Sequence, residues 1–530
     1  MAEKRRDSFK SNLGVILALV GSAIGLGNLW RFPYLVGTNG GAAFIIIYLL
    51  CILFLCMPIM VCEFVIGRRS QANTFGAFKK LAPGTGWKYT GTLAVITCVI
   101  LLSFYVVVGG WTIDYFIKSL RMVFTPETDF ATEFNKMVSS SSENVFYTLL
   151  FLVCTAGVIV AGVKNGIERT NKYLMSALAA LIVFIVIYAM TLPGAKQGLN
   201  FLFHPDFSKV TFRTVLSALG QGFLSLSIGC GAIITYASYA NRKDNLLKTT
   251  TITTLSDTMF ALLAGMAILP AVFSAGMDPS EGAGLAFISL PYIFANMSFG
   301  KVLSIIFYFI LFAAALSSSI SLMETVVAFL KEEFKKSRFG SMLIMLGITT
   351  VFAVFCALSF GVLSGFKILG FTFFDLFDYV SSNICLATCA LLVCLFAGWR
   401  IKKEHFYDEI TSGGKYKIPK WLLGTLRVFV RYIAPVIVAI IIVNSLIGLY
   451  SCSFFFLSDS TIAATRRRIR MLDAINEYFS PLTKLSGWKV KVMSPSPAGS
   501  SAPLKIQLAR KIFSSFSFPS AVLRTAFQPG

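Results

Sequence analysis

The sequence predicts an all-α polytopic membrane protein: two inverted groups of five spans, the first span of each group broken, followed by an eleventh helix. Three observations predict it. The 530 residues are 56% hydrophobic and only 14% charged, whereas a soluble domain is about half apolar and about a quarter charged. Apolar runs of roughly 20 residues, enough to cross a hydrocarbon core, recur from Leu13 to Leu449, with the charges collected between them. The first and sixth runs are interrupted by glycine-rich stretches carrying polar residues. Only a membrane protein can use so many such segments.

The spans fall, in order, at about 12–36, 42–66, 89–119, 145–163, 168–192, 214–240, 247–275, 298–331, 339–362, 371–398 and 422–450. Lys and Arg in the connections set the orientation. The head, residues 1–11, holds Lys4, Arg5, Arg6 and Lys10, and the segment after span 2 holds Arg68, Arg69, Lys79, Lys80 and Lys88. The loop after span 8 holds Lys331, Lys335, Lys336 and Arg338, and that after span 10 Arg400, Lys402, Lys403, Lys415 and Lys417. All four lie on one side, which is then cytoplasmic. The opposite loop, 120–143, is Ser-rich, with Glu127, Asp129 and Glu133.

The same rule accounts for the net charge of +22. No zinc-type, P-loop or dinucleotide motif occurs, and no nucleic-acid module, so no nucleic-acid partner is expected. The charged head runs into a long apolar segment without a small-residue cleavage site, which does not read as a signal peptide. Most of the eleven Cys, among them Cys51, Cys56, Cys98, Cys154 and Cys389, lie inside apolar spans and read as small packing residues. Cys385 and Cys389 have no ligand partners nearby in sequence, and no Cys metal site is assigned. Residues 451–530, with R-R-R-I-R from Arg466 and Ser- and Pro-rich segments, read as a disordered tail or one foreign to the core.

Span 1 reads G-S-A-I-G-L-G-N from Gly21, and span 6 reads S-L-S-I-G-C-G-A from Ser225. Glycine lowers helix stability and lets backbone approach a ligand closely. Spans 1 and 6 open the two groups of five, about 12–192 and 214–398, which form the core 12–398. An odd number of spans per group inverts the second. Paired breaks at matching places in two halves point to a midplane binding site. For either break alone, small-residue packing between membrane helices is the plain alternative.

Further stretches are more specific: G-S-A-I-G-L-G-N-L-W-R-F-P-Y from Gly21, N-G-G-A-A-F from Asn39, G-C-G-A-I-I-T-Y-A-S-Y from Gly229 and A-A-A-L-S-S-S-I-S-L-M-E from Ala313. On these, the chain from Arg6 to about Leu449 resembles the neurotransmitter:sodium symporter family in its bacterial LeuT-type branch. That family is itself the standard illustration of broken helices in inverted repeats. The resemblance implies a sodium-coupled importer of an amino acid, working by alternating access in the plasma (inner) membrane with a cytoplasmic N-terminus. It implies no enzyme chemistry, and the two His, His204 and His405, lie in loops.

A free amino acid carries an ammonium and a carboxylate, and neither enters a protein interior cheaply without partners. Exposed N–H groups at a helix break suit the carboxylate. Unwound carbonyls suit the ammonium and a hard cation, which prefers oxygen ligands. Carried over by position, the family pattern implies two sodium sites. The first would use the Ala23 carbonyl, Asn28, Ser225 and a span-7 residue, Asp257, with Ser256 as its rival. An intramembrane Asp is a functional candidate by default, although an Asp near the end of span 7 could also be merely solvated. As a ligand it would supply the charge that chloride provides in animal relatives, so no chloride requirement is expected. The second site would use carbonyls of Gly21, Ile24 and Ala314 with the hydroxyls of Ser317 and Ser318. A run of small hydroxyl residues also packs well between membrane helices.

The resemblance places the substrate carboxylate on the amides of Gly25, Leu26 and Gly27, the Tyr105 hydroxyl and the first sodium. Amine-carrying relatives have Asp where this chain has Gly25, which argues for a substrate that brings its own carboxylate. Side-chain choice falls to Leu101, Leu224, Ser227, Cys230, Ser318 and Leu322. Leu224 and Cys230 stand where relatives often have Phe, which enlarges the pocket and suggests a large apolar or aromatic amino acid. Gates are charge pairs made and broken between states: on the outside Arg31 with Asp375 or Asp378, assisted by Gln221, and on the inside Arg6 with Glu332, capped by Tyr239. Two other functions share the pattern, a non-transporting sensor of the same fold and a proton-coupled carrier. A Lys within span 5 would support the latter, and the apolar interiors of spans 4 and 5 hold none.

Overall fold

A computed structural model describes Phe9 and residues 11–277 and 285–447. The expectations for Arg6, for the rest of the charged head and for the tail 451–530 lie outside the described residues. Among the described residues there is no β-strand, and nine continuous helices are long and apolar enough to cross a membrane. These are Ala42–Ser70, Lys88–Leu120, Ser141–Val160, Val163–Ala189, Leu246–Ser274, Gly300–Glu333, Arg338–Leu358, Phe373–Arg400 and Lys420–Ile447. They correspond to spans 2, 3, 4, 5, 7, 8, 9, 10 and 11.

Span 1 is the broken pair Asn12–Ala23 and Gly27–Thr38, bent by 47°. Ser11 caps its start by accepting the Gly14 N–H. Span 6 comprises Phe212–Ser225 and the short helix Ala232–Ala237. Its first half starts in a capping box between Thr211 and Thr214, which satisfies N–H groups that the first turn cannot pair internally.

The two longest helices, spans 3 and 8, pack along each other and form the scaffold. Span 8 has 34 residues, roughly 50 Å at the α-helical rise, well beyond the hydrocarbon thickness. Both are largely buried in protein. Spans 4 and 9 support them from behind, while the first half of span 1 lies against spans 5, 7 and 8.

Short helices outside the spans were not legible as membrane segments. Thr74–Leu81 follows span 2, and Lys403–Thr411 follows span 10. The second is held by a buried ion pair, Arg68 Nε to Glu409 Oε2 at 3.0 Å. Arg68 also donates to the carbonyls of Asp244 and Glu409, so this cation, read from sequence as an orientation signal, is a buried structural clamp. On the opposite side Phe130–Ser139 and Ala195–Phe203 cover the span ends.

Candidate functional site

Both breaks are local consequences of sequence. In span 1 the helix ends at Ala23, and Ile24 turns extended at φ −70°, ψ 107°. The Gly25 N–H then donates to Asn28 Oδ1 at 3.2 Å, and the Leu26 N–H to the Tyr105 hydroxyl at 3.3 Å. Gly25 has no room for a side chain: an added Cβ would sit 2.5 Å from Ser318 Oγ and 3.0 Å from the Tyr105 hydroxyl. In span 6 the backbone takes positive φ at Ser227 (53°), Gly229 (86°) and Gly231 (76°), a region open to glycine and strained for serine. Ser227 is held there by donating to the Ser22 carbonyl at 2.8 Å while accepting from the Ser22 hydroxyl at 3.2 Å. The two breaks are therefore bonded to each other.

One oxygen cluster joins spans 1, 6 and 7. Asn28 Nδ2 donates to Asp257 Oδ1 at 2.8 Å and to the Asp257 carbonyl at 3.2 Å. Ser225 Oγ lies 2.9 Å from both carboxylate oxygens. Asn28, Ser225 and Asp257 are all buried, so Asp257 is not a solvated residue at a helix end. Ser256 is half-buried and takes no part. Among the described residues no Lys, Arg or His forms an ion pair with Asp257. A buried carboxylate held by neutral donors is electrostatically suited to a hard cation.

A second cluster joins spans 1 and 8. Ser317 Oγ donates to the Ala314 carbonyl at 2.9 Å and approaches the Ile24 carbonyl at 3.4 Å. Ser318 Oγ lies 3.2 Å from the Ser22 carbonyl and 3.3 Å from that of Ile24. Gly21 sits one turn earlier, buried against Asn171 of span 5. This cluster contains only neutral oxygens.

A small cavity of about 40 Å³ lies beside the breaks. Its polar wall is Ser22, Ala23, Gly25, Gly27, Tyr105, Ser225, Ser227 and Ser318. Its apolar wall is Leu101, Leu224, Cys230, Leu322 and Leu386. Every side-chain and backbone position expected at the substrate lines it except Leu26, whose amide is turned to Tyr105. Ser22 and Leu386 are additions. Leu386 arrives because span 10 packs tightly on Gly229, where an added Cβ would meet the Leu386 carbonyl at 2.2 Å. No local sequence signal marks that contact.

The gate residues are distributed differently from expectation. Arg31 lines a separate, open hollow with Tyr379, Ser382 and Asn383. Among the described residues no ion pair joins it to Asp375 or Asp378, so the outer pair is not formed here. Each acid is satisfied locally: Asp375 Oδ2 accepts from Thr372 Oγ1 at 2.7 Å and Asp378 Oδ1 from Ser382 Oγ at 2.9 Å. Gln221 is buried and donates to the Gly27 carbonyl at 2.9 Å, bracing the two breaks. Glu332 accepts from the Asn73 backbone at 2.8 Å and from its side chain at 3.0 Å. Tyr239 donates to Glu324, which also meets Arg338. Sequence reading took Arg338 only as an orientation signal and gave no role to the Glu324 carboxylate or to Glu63 of span 2, whose Oε1 accepts the Gly229 N–H at 2.8 Å.

Comparisons with known proteins bear on this geometry. The model of a family described as the sodium:neurotransmitter symporter family matches residues 6–144 and 130–456. The chain is 36% identical over 459 residues to an uncharacterized sodium-dependent transporter of Bacillus subtilis, covering 85% of this chain and 100% of the relative. It is 35% identical over 458 residues to another from Haemophilus influenzae, covering 84% and 99%. Among solved structures it resembles MhsT in complex with L-phenylalanine, with a TM-score of 0.78, 39% identity, and coverage of 83% of this chain and 100% of that one.

Proposed function

Since this chain belongs to the sodium:neurotransmitter symporter family, whose members are transporters rather than enzymes, we propose that it imports a large apolar or aromatic amino acid together with sodium. The observation that carries this reading is the juxtaposition of a buried carboxylate, Asp257, which pairs with no Lys, Arg or His among the described residues, with a cavity that is polar at the helix breaks and apolar beyond them.

The first sodium would take the Ala23 carbonyl, Asn28, Ser225 and Asp257. The second would take carbonyls of Gly21, Ile24 and Ala314 with Ser317 and Ser318. The substrate carboxylate would meet Gly25, Leu26, Gly27, Tyr105 and the first ion. For this, the Gly25 and Leu26 amides exchange their present partners, Asn28 and Tyr105, for the carboxylate. The substrate side chain would lie among Leu101, Leu224, Cys230, Leu322 and Leu386. Asp257 brings its own negative charge, so chloride is not required.

The protein would sit in the plasma membrane with its N-terminus cytoplasmic, which places the basic connections inside. Binding of sodium orders the two breaks, the substrate completes the first ion's shell, and spans 1, 2, 6 and 7 rock against the rest to open inward. The sodium gradient and membrane potential drive the cycle. On span 5 the Lys nearest the second cluster in sequence, Lys172, is exposed, which favours sodium over proton coupling.

Uptake of twenty radiolabelled amino acids into proteoliposomes under an imposed sodium gradient tests the reading. Saturable, sodium-driven uptake of leucine-sized or aromatic substrates is expected. Binding without uptake would make the chain a sensor. Equal uptake driven by a proton gradient alone would make it a proton carrier.

A further inference from the structure

Span 5 carries a polar side chain that neither cluster uses. Asn171 is fully buried, and among the described residues neither its Oδ1 nor its Nδ2 has a hydrogen-bond partner. The side chain is aimed at span 1: a Cβ added to Gly21 would lie 2.6 Å from Asn171 Oδ1 and 2.9 Å from its Cγ. Only a glycine at 21 lets the amide approach so closely. A buried amide with both ends unsatisfied is costly, and such groups call for a functional account.

The surroundings supply one. Gly21 stands in the last turn of the first half of span 1, next to the second cluster. One turn towards the N-terminal side, on the same face of span 5, half-buried Glu168 presses on Gly14 in the same way. A Cβ there would lie 2.2 Å from Glu168 Oε1, and Ser11 Oγ donates to that oxygen at 3.2 Å. The seam between span 1 and span 5 is thus lined, from the N-terminal face inward, by a carboxylate, an orphaned amide and then the oxygens of Ile24, Ala314, Ser317 and Ser318.

We propose that Asn171 forms a transient sodium position between the second sodium site and the cytoplasm, with Glu168 at its mouth. The inference rests on the reading of the second cluster as a sodium site. As the first half of span 1 leaves span 5, Asn171 Oδ1 and the Gly21 carbonyl offer a departing ion two oxygen ligands, and water completes the shell. The residue then acts on how fast sodium passes rather than on how tightly it is held at rest.

The test follows ²²Na⁺ alone on the purified full-length chain, comparing wild type with Asn171→Leu and Asn171→Asp. Asn171→Leu should leave equilibrium ²²Na⁺ binding within about twofold while slowing both association and dissociation at least fivefold. Asn171→Asp, which keeps an oxygen ligand, should exchange at least as fast as wild type. Unchanged kinetics in Asn171→Leu would overturn the proposal. So would an equal loss of equilibrium binding in both variants, which marks a structural role. A wild-type chain that binds no ²²Na⁺ would instead sink the parent reading, and the inference with it.

Discussion

The Tyr239 hydroxyl donates to the Glu324 carboxylate at 2.9 Å, tying the residues just after the second half of span 6 to span 8. Glu324 is fully buried, and Arg338 at the start of span 9 meets its other oxygen at 2.5 Å. Arg338 is in turn fixed by donating from Nε to the Ile159 carbonyl at 2.7 Å. The backbone of Phe9 donates to the Tyr239 carbonyl at 3.3 Å, and its ring packs edge-on against Tyr236 and Tyr239. The Tyr239 hydroxyl is thus one of the bonds that join span 6 to the scaffold, beside that from Cys98 Sγ of span 3 to the Cys230 carbonyl at 2.9 Å.

Removing that phenol should loosen the inner side. Loss of a buried hydrogen bond costs about 1–3 kcal/mol, so Tyr239→Phe is expected to shift the equilibrium toward the inward-open state by roughly tenfold or more. Cys230 lines the cavity and reports on it in a background whose other cysteines are replaced. Its alkylation by an impermeant maleimide applied from the cytoplasmic side should accelerate by that factor; an unchanged rate refutes the latch. Arg338→Met should behave differently, leaving a buried carboxylate uncompensated and costing about 3–5 kcal/mol. A clear fall in Tm is expected for it.

Asp257 makes a prediction about charge. A carboxylate in contact with a monovalent cation is worth about 5 kcal/mol even at an effective dielectric of 20. Asp257→Asn keeps the shape and hydrogen-bonding capacity toward Asn28 and Ser225 but removes that attraction. The sodium concentration for half-maximal uptake should rise at least tenfold, with wild-type uptake equal in chloride and gluconate media. A normal sodium curve in Asp257→Asn would remove this residue from the ligand set.

These two cases mark what the sequence could disclose. The spans were legible because length and apolarity are local, and both breaks because glycine clusters are local too. Asp257 was reached through motif register, with Ser256 still open; only tertiary packing shows that it is Asp257 that lies buried between Asn28 and Ser225. Glu324 and Arg338 were invisible as a pair, since neither spacing nor composition says which faces of spans 8 and 9 meet. The same holds for Glu63 and Gly229, 166 residues apart, and for Leu386. Arg31 marks a different limit: sequence names two acids three apart as partners but not the state in which they pair, and here both accept from hydroxyls of their own span.

Two glycine substitutions should separate binding from folding. Gly25→Ala places a methyl 2.5 Å from Ser318 Oγ and 3.0 Å from the Tyr105 hydroxyl, both ends of side chains that can yield. The protein should fold with near-normal Tm, and substrate affinity should fall at least tenfold. Gly229→Ala instead drives a methyl to 2.2 Å from the Leu386 carbonyl at φ +86°, against backbone and in a strained conformation. It should lower Tm markedly. Thermal melts beside equilibrium substrate binding check both, and equal losses in the two variants would contradict the assignment.

The apolar wall of the cavity predicts how substrate size is chosen. Leu224 and Leu386 come from spans 6 and 10 and line the same space. Leu224 is only partly buried, so a larger side chain there can grow into the cavity instead of into packed core. Leu386 is 1% exposed with its backbone locked against Gly229, so added bulk has no other direction to go. Overfilling a packed site costs about 1–3 kcal/mol, and a lost methylene of substrate returns a similar amount. Leu224→Phe and Leu386→Phe should each weaken an aromatic substrate about tenfold or more while sparing or improving one of alanine or valine size. Competition of unlabelled amino acids against labelled substrate gives the order directly. If both variants retain the wild-type order, the side chain of the substrate does not lie against this wall.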